Sequence, residues 1–319
     1  MNRPWLIPVG GFLGAGKTTL ILSAARILSA RGLKCAAIMN DQAGDLVDSA
    51  YATSQGVTTS DVTGGCFCCR FSDLMDKASE LCALSPDVIF LEPVGSCTDL
   101  SATILQPLKR DFATDYRLAP LTVVIDPALD LSDPNIAFLH QAQLAEADIV
   151  IDRTNVNVSA WLDEILHGSS PIGSKLLTID YLQYAAAEAA LGWLNWSATL
   201  HLPSPLSPPS LIGPFLDLLQ QSIPQIVHLK IFDQTPTSYL KAALTSNTGD
   251  PSVDGDLTAS PESEHALRLN LRAIMASEDL HTLFSKALAT LPGQRVNEHF
   301  QCFSPAPPTP QHRYSEIVS

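Results

Sequence analysis

Three cysteines, Cys66, Cys68 and Cys69, fall within four positions of the stretch DVTGGCFCCRF, directly behind Gly64 and Gly65. Thiols this close cannot staple distant parts of a fold, and adjacent Cys68 and Cys69 could bridge each other only through a strained ring. In an extended loop Cys66 and Cys68 project to the same side. A tight turn, which Gly64 and Gly65 permit, would swing Cys69 round to join them. Three sulfurs suit a soft or borderline cation such as Zn²⁺, which takes sulfur at about 2.3 Å and favours four ligands. The fourth place is left for water, for Cys97 or for a client protein, and an incomplete set suits an ion that must be handed on. Redox chemistry and plain packing are the other uses of such a cluster. Cys35, Cys82 and Cys302 stand alone and read as core or tail residues, and the eight histidines form no metal-storing tract.

A second constellation is GFLGAGKT, residues 11–18, which fits G-x-x-x-x-G-K-[ST]. Its mechanism requires a strand before it and a helix after it. WLIPVG supplies the first; KTTLILSAARILSAR supplies the second, with Leu20, Ala24, Ile27 and Leu28 on one face. Gly11, Gly14 and Gly16 let backbone N–H groups turn inward around phosphate oxygens, and the helix N-terminus adds its positive dipole end. Lys17 then reaches the β- and γ-phosphates and Thr18 ligates Mg²⁺. The expected nucleotide set is Gly11, Gly14, Ala15, Gly16, Lys17, Thr18 and Thr19, with Gly95 and Asn155 from later segments.

A nucleotide hydrolase also needs carboxylates at the C-terminal ends of neighbouring strands. VIFLEPVG ends its apolar run in Glu92, placed to hold an attacking or Mg²⁺-bound water, with Gly95 positioned to give an N–H to the γ-phosphate. NDQAGDLVD offers Asp41, Asp45 and Asp48, of which Asp41 is a candidate Mg²⁺ ligand and Asp48 a further metal candidate; TVVIDP ends in Asp126.

The elements that must hold these groups alternate. KCAAIMN, DVIFLEP, LTVVIDP and ADIVID are near-continuous apolar runs of the kind buried parallel strands show, and SDLMDKASELCAL is helical. SKLLTI reads as a further strand. The pattern implies an α/β fold, a doubly wound, mostly parallel sheet of P-loop NTPase type, with a smaller α+β C-terminal domain. The expected boundaries are a nucleotide-binding domain over 1–200, a Pro-rich linker over 201–214, a small domain over 215–295 and a disordered tail over 296–319. In the small domain QIVHLKIF and ALRLNLRAIM read as strands and DLHTLFSKALATL as a helix. The polar stretch from Thr245 to Glu264 between the strands reads as a mobile loop.

Composition limits the partners. Net charge is −14, from 33 acidic against 19 basic residues in 319, which argues against a nucleic-acid or anionic-membrane partner. No apolar run approaches the roughly 18 residues of a membrane span. The first residues lack a cleavage pattern, and seven unevenly spread cysteines make no disulfide framework. A cytoplasmic protein is expected.

The phosphate loop, G-G-C-x-C-C and E-x-x-G, in that order, resemble the CobW/HypB/UreG family of nucleotide-dependent metallochaperones, most closely its CobW-like branch with a C-x-C-C motif. The resemblance covers residues 5–155 well, with a vaguer echo of a CobW C-terminal domain at IVHLKIF. It implies a GTPase domain in which Lys17 and Thr18 serve nucleotide and Mg²⁺, Glu92 is the E-x-x-G glutamate, and Cys66, Cys68 and Cys69 form the metal site. It also maps Asp41 and Asp48 onto acidic positions of a switch region. Guanine-specific relatives carry N-K-x-D where this chain has Asp152-Arg153-Thr154-Asn155. Asn155 offers one acceptor and one donor, so the bidentate match to guanine is lost and a 2-oxo purine would suit it better. GTP leads, with ATP the alternative.

The function implied is a Mg²⁺-dependent triphosphatase, GTP or ATP its substrate, carrying zinc or another transition metal to a client metalloprotein. Oligomerisation is left open. Two other readings use the same loop: a small-molecule phosphotransferase, and a non-hydrolysing nucleotide and metal sensor.

Overall fold

The computed structural model describes residues 3–247 and 249–318. Met1 and Asn2 of the first expected domain, Thr248 of the expected loop and Ser319 of the expected tail lie outside the described residues. The chain divides into two compact units. The first comprises Met1–Gln42, Ala52–Ala187 and Pro307–Ser319, and the second Ala43–Tyr51 and Glu188–Ala306. These boundaries replace the expected cut at residue 200.

In chain order the elements of the first part are β1 (Trp5–Gly10), α1 (Lys17–Ala30), β2 (Cys35–Asn40), α2 (Val47–Ser54), β3 (Thr58–Val62), α3 (Phe71–Cys82) and β4 (Val88–Glu92). A π-helical turn, Ser101–Leu105, runs into α4 (Gln106–Asp111). Then come β5 (Arg117–Leu118), β6 (Thr122–Ile125), α5 (Pro134–Glu146), β7 (Ile149–Asp152), α6 (Val158–His167) and α7 (Tyr181–Ala189). The strands form one sheet in the order β3-β2-β4-β1-β6-β7, with β5 beside the start of β1. Every pairing is parallel. The apolar runs explain why: Leu6, Ile7, Val9, Ile38, Ile89, Phe90 and Val123 are all at most 2% exposed, covered on both faces as a parallel sheet requires. β1 lies between β4 and β6, so the chain leaves β1 to one side and later returns on the other. Ligands bind at such a reversal, beyond the carboxyl ends of the strands.

The second unit contains β8 (Leu191–Leu206), α8 (Pro208–Ser222), β9 (Ile226–Gln234), β10 (Tyr239–Leu244), β11 (Ser252–Gly255), β12 (Glu262–Ile274), α9 (Ser277–Leu288) and β13 (Gln294–Phe303). Its six strands form an antiparallel sheet, β11-β10-β9-β12-β8-β13. Phe215, Leu219, Leu280 and Phe284 of the two helices are buried against Leu194, Leu229, Ile231 and Leu269 of the sheet.

Four expectations fail here. The expected linker 201–214 instead completes β8 and begins α8. Beyond His201, β8 keeps a single registered partner, Glu262 opposite Leu206, so the missing N–H groups of Pro203 and Pro205 cost little there. Pro208 opens α8, where an N–H has no intrahelical partner anyway. The expected loop contains β11, paired with β10. The expected tail begins with β13, which pairs with β8. SKLLTI, residues 174–179, has no regular structure.

Candidate functional site

The phosphate loop joins β1 to α1. Gly16, at φ +98°, is the residue before the helix, and no side chain caps it, which leaves the first N–H groups of α1 for an anion. Ala15, Lys17 and Thr18 are buried, while Thr19 is exposed. The Lys17 ammonium donates to the carbonyls of Gly11 at 2.9 Å and Phe12 at 3.3 Å, inside the curve of the loop. Thr18 Oγ1 donates to Glu92 Oε1 at 3.0 Å. A hydroxyl that spends its one proton on the carboxylate keeps its lone pairs for a cation. Gly95 is a close approach: a Cβ there would lie 2.8 Å from Leu13 Cδ2 and 3.0 Å from its backbone N.

Arg153 spans two segments of this site, donating to the Gly14 carbonyl at 3.0 Å and pairing with Asp126 at 3.2 Å. Asp152 Oδ1 accepts from the Thr154 N–H and hydroxyl, which fixes the turn that carries Asn155, and Asn155 is exposed. Asp41 is half-buried in the first unit and its N–H donates to Val62.

Asp48 belongs to the second unit, where both carboxylate oxygens accept from Lys230 at 2.7 Å. Burial works to raise its carboxyl, but Lys230 and Lys241 outweigh that and hold it well below the usual range. Its reading as a metal ligand is therefore corrected to an ion-pair role. Asp45, in the same unit, is exposed at φ +60°. Val47 N–H donates to Asn270, Tyr51 to Asp254, and Asn195 to the Gly44 carbonyl, all inside the second unit.

The thiols do converge. Gly64 and Gly65 take φ of +77° and +150°, and the Cys69 and Arg70 N–H groups both donate to the Cys66 carbonyl at 3.0 Å. That turn brings the sulfur of Cys66 to 2.7 Å from Cys68 and 3.1 Å from Cys69, with Cys68 and Cys69 3.7 Å apart. Around a tetrahedral ion with sulfur bonds of about 2.3 Å, neighbouring sulfurs sit roughly 3.8 Å apart, so the cluster needs to open by only about 1 Å. All three cysteines are free. Among the described residues they are the one group of His, Cys, Asp or Glu side chains gathered closely enough to hold a metal.

The charge within the cluster is uneven. Hydrogen bonds with the thiols of Cys68, Cys69 and Cys97 hold Cys66 well below the usual thiol range despite its burial. The same bonds raise Cys68 well above that range. Cys69 is pushed up to about 11, first by its bond to Cys66. Cys66 is thus the thiol of the cluster that yields its proton most readily, while Cys68 and Cys69 hold theirs more tightly.

Residues invisible as functional in the sequence hold both sites. Asn40, at the end of β2, donates to the carbonyls of Val62 and Gly65 and accepts from the Phe67 N–H, clamping the cysteine loop at both ends. On α5, Gln143 donates to the carbonyls of Gly95 and Cys97 at 2.9 Å. One turn on, Glu146 accepts from Thr98 Oγ1 and the Ser101 N–H, and burial followed by the Asp99 charge pushes its carboxyl up to about 8. Asp133 caps α5 through the N–H groups of Asn135 and Ile136, a contribution of about 1 kcal/mol. The segment Gly95–Ser101 is therefore braced by one helix face.

Residues 6–157 match the family described as CobW/HypB/UreG, nucleotide-binding domain. This segment is a nucleotide-binding domain of the CobW/HypB/UreG family. The family is one of P-loop GTPases of the metallochaperone type. A CobW/HypB/UreG relative, urease accessory protein UreG of Ureaplasma parvum, is 39% identical over 114 residues, 32% of this chain. The chain spans 54% of that relative's length. Among solved structures the chain is similar to zinc-bound YjiA GTPase from E. coli, at 16% identity and TM-score 0.31 over 90% of this chain and 99% of that one. It is also similar to nickel-complexed HypB from Helicobacter pylori, at 17% identity and TM-score 0.36 over 54% of this chain and 78% of that one. Among the described residues no helix is long and apolar enough to cross a membrane.

Proposed function

We propose that this chain is a Mg²⁺-dependent nucleoside triphosphatase, with GTP the first candidate substrate, that carries zinc or a related ion on Cys66, Cys68 and Cys69 and yields it to a client protein. One observation carries the reading: Cys97, two residues beyond Gly95 on the segment that begins at Glu92, shares a hydrogen bond with the Cys66 thiol at the centre of the cluster. The nucleotide segment and the soft-ion site thus share a contact.

In this mechanism the backbone N–H groups of residues 14–18 and the Lys17 ammonium hold the phosphates and offset charge spreading over their oxygens in the transition state. Thr18 Oγ1 and the Glu92 carboxylate supply hard oxygens that suit Mg²⁺, which when bound neutralises phosphate charge. Glu92 orients the attacking water. Gly95 brings its N–H close to the loop because it lacks a Cβ. Arg153 fixes the loop from outside through the Gly14 carbonyl. Asn155 leaves base selectivity weaker than an aspartate would, so GTP and ATP are both to be measured. Cytoplasmic localisation belongs to the same reading.

Metal uptake has a pH signature. Cys68 and Cys69 are both raised above the usual thiol range, so each must lose a proton to bind. Below the pKa values of those two thiols, proton competition falls as pH rises, so zinc affinity is expected to increase roughly 100-fold per pH unit between about pH 6 and 8. Competition against a chelating dye across that range measures the slope. A pH-independent affinity contradicts the assignment of these thiols as ligands.

A further inference from the structure

The segment Pro307–Val318 belongs to the first unit and lies along both the cysteine turn and the braced segment after Gly95. Pro307, Pro308 and Pro310 have no N–H, so between 307 and 311 only Thr309 and Gln311 can donate from the backbone. Both donors are spent at the thiol site. Thr309 N–H donates to Cys69 Sγ at 3.2 Å, and Gln311 N–H to the Cys68 carbonyl at 2.9 Å. The Gln311 side-chain oxygen accepts from the Ser72 N–H and hydroxyl at the start of α3, and the His312 ring meets Phe71 edge-on at 5.1 Å.

Beyond His312 the contacts change partner. Arg313 Nε donates at 2.7 Å to Asp99 Oδ2, an oxygen that also accepts from Tyr181, and Arg313 Nη2 donates to the Leu177 carbonyl at 3.0 Å. Asp99 stands at φ +64°, an uncommon conformation for a residue other than glycine, and its carboxylate is buried. Tyr314 N–H donates to the Ala102 carbonyl, and the Val318 N–H to Gln106 Oε1. A proline-rich segment is pre-stiffened, so docking it costs less conformational entropy than docking an ordinary tail.

We propose that Pro307–Val318 is a strap that closes the thiol site, with Thr309 covering Cys69 and Arg313 latching the strap to Asp99 on the segment that follows Glu92 and Gly95. The proposal deepens the metal-carrier reading and rests on it for its purpose: opening the strap is what exposes the held ion to a competing sulfur. Because the latch residue lies on the nucleotide segment, a rearrangement there releases the cover.

The test uses the full chain beside Arg313→Ala, Thr309→Pro, which removes the N–H on Cys69 while suiting a polyproline run, and a deletion of residues 307–319. In reduced, metal-free protein, alkylation of Cys69 by iodoacetamide is followed by peptide mass spectrometry. In zinc-loaded protein, the rate of zinc passage to a small-molecule chelator is followed. Loss of a charge-assisted latch is expected to speed both rates about tenfold or more in Arg313→Ala and in the deletion, with a smaller rise in Thr309→Pro. Unchanged rates in the two single variants overturn the strap, whether or not the deletion folds. The outcomes separate the two readings. Faster alkylation in a protein that takes up no zinc supports the strap and defeats the metal carrier. Zinc uptake with unaltered alkylation and transfer defeats the strap and leaves the carrier standing.

Discussion

Lys17→Ala is expected to lower phosphate release by about 10³-fold, the scale on which phosphoryl-transfer enzymes respond to loss of a positive group at the transferring phosphate. Lys17 is 8% exposed, and its ammonium donates to the Gly11 and Phe12 carbonyls within the loop. In a chain of net charge −14, a phosphate grip must supply its own positive potential locally. Arg153 does not replace it, since its guanidinium is engaged by the Gly14 carbonyl and Asp126. Lys17→Arg should recover little, because a planar fork is not a compact ammonium. Steady-state phosphate release with GTP and with ATP, on variants whose melting is unchanged, decides the matter. Turnover within tenfold of the parent would mean that the phosphates are held elsewhere.

Cys66→Ser is expected to weaken zinc binding by about 10²- to 10³-fold. Zinc-site free energies of about 10–16 kcal/mol spread over four ligands leave roughly 2.5–4 kcal/mol for each, and a hydroxyl oxygen is a poor substitute for a soft thiolate. Cys66 should matter most, because it is bonded to three neighbouring thiols, which hold it below the usual thiol range. Cys69→Ser should cost less, about tenfold to 100-fold, since that sulfur sits at the rim of the cluster under the Thr309 N–H. Chelator competition gives the affinities, and melting curves taken in excess chelator separate metal loss from core damage, as Cys66 is 2% exposed. Equal affinities for the parent and Cys66→Ser would make the cluster a packing feature.

Much of the nucleotide domain was legible because its determinants are local. β1, β2, β4, β6 and β7 are apolar runs bounded by polar strand ends, and the loop between β1 and α1 carries its own pattern. β3 was not legible: of Thr58–Val62 only Val62 is buried, so an edge strand with polar faces shows no hydrophobic signal. Proline misled in three places for one reason. It excludes regular structure only where an N–H is needed, and the overhang of β8, the first residue of α8 and the strap over Cys68–Cys69 need none; Pro214, inside α8, is tolerated despite the bond it forgoes. The braces were out of reach for a different reason. Asn40, Gln143 and Glu146 are polar residues whose partners lie many residues away, and nothing in their spacing distinguishes a buried clamp from a solvated side chain. Asp48 shows the opposite error: its spacing from Asp41 suggested a shared site, while Lys230, 182 residues along the chain, takes both its oxygens.

The central claim is that the phosphate loop and the sulfur cluster respond to each other through the Glu92–Cys97 segment. Its most direct test is the zinc affinity of one protein preparation measured nucleotide-free, with the diphosphate and with a non-hydrolysable triphosphate. The account predicts that the states differ by at least about tenfold, within the usual range of coupling between two sites. Identical zinc affinity in all three states, with nucleotide shown to be bound, would contradict it.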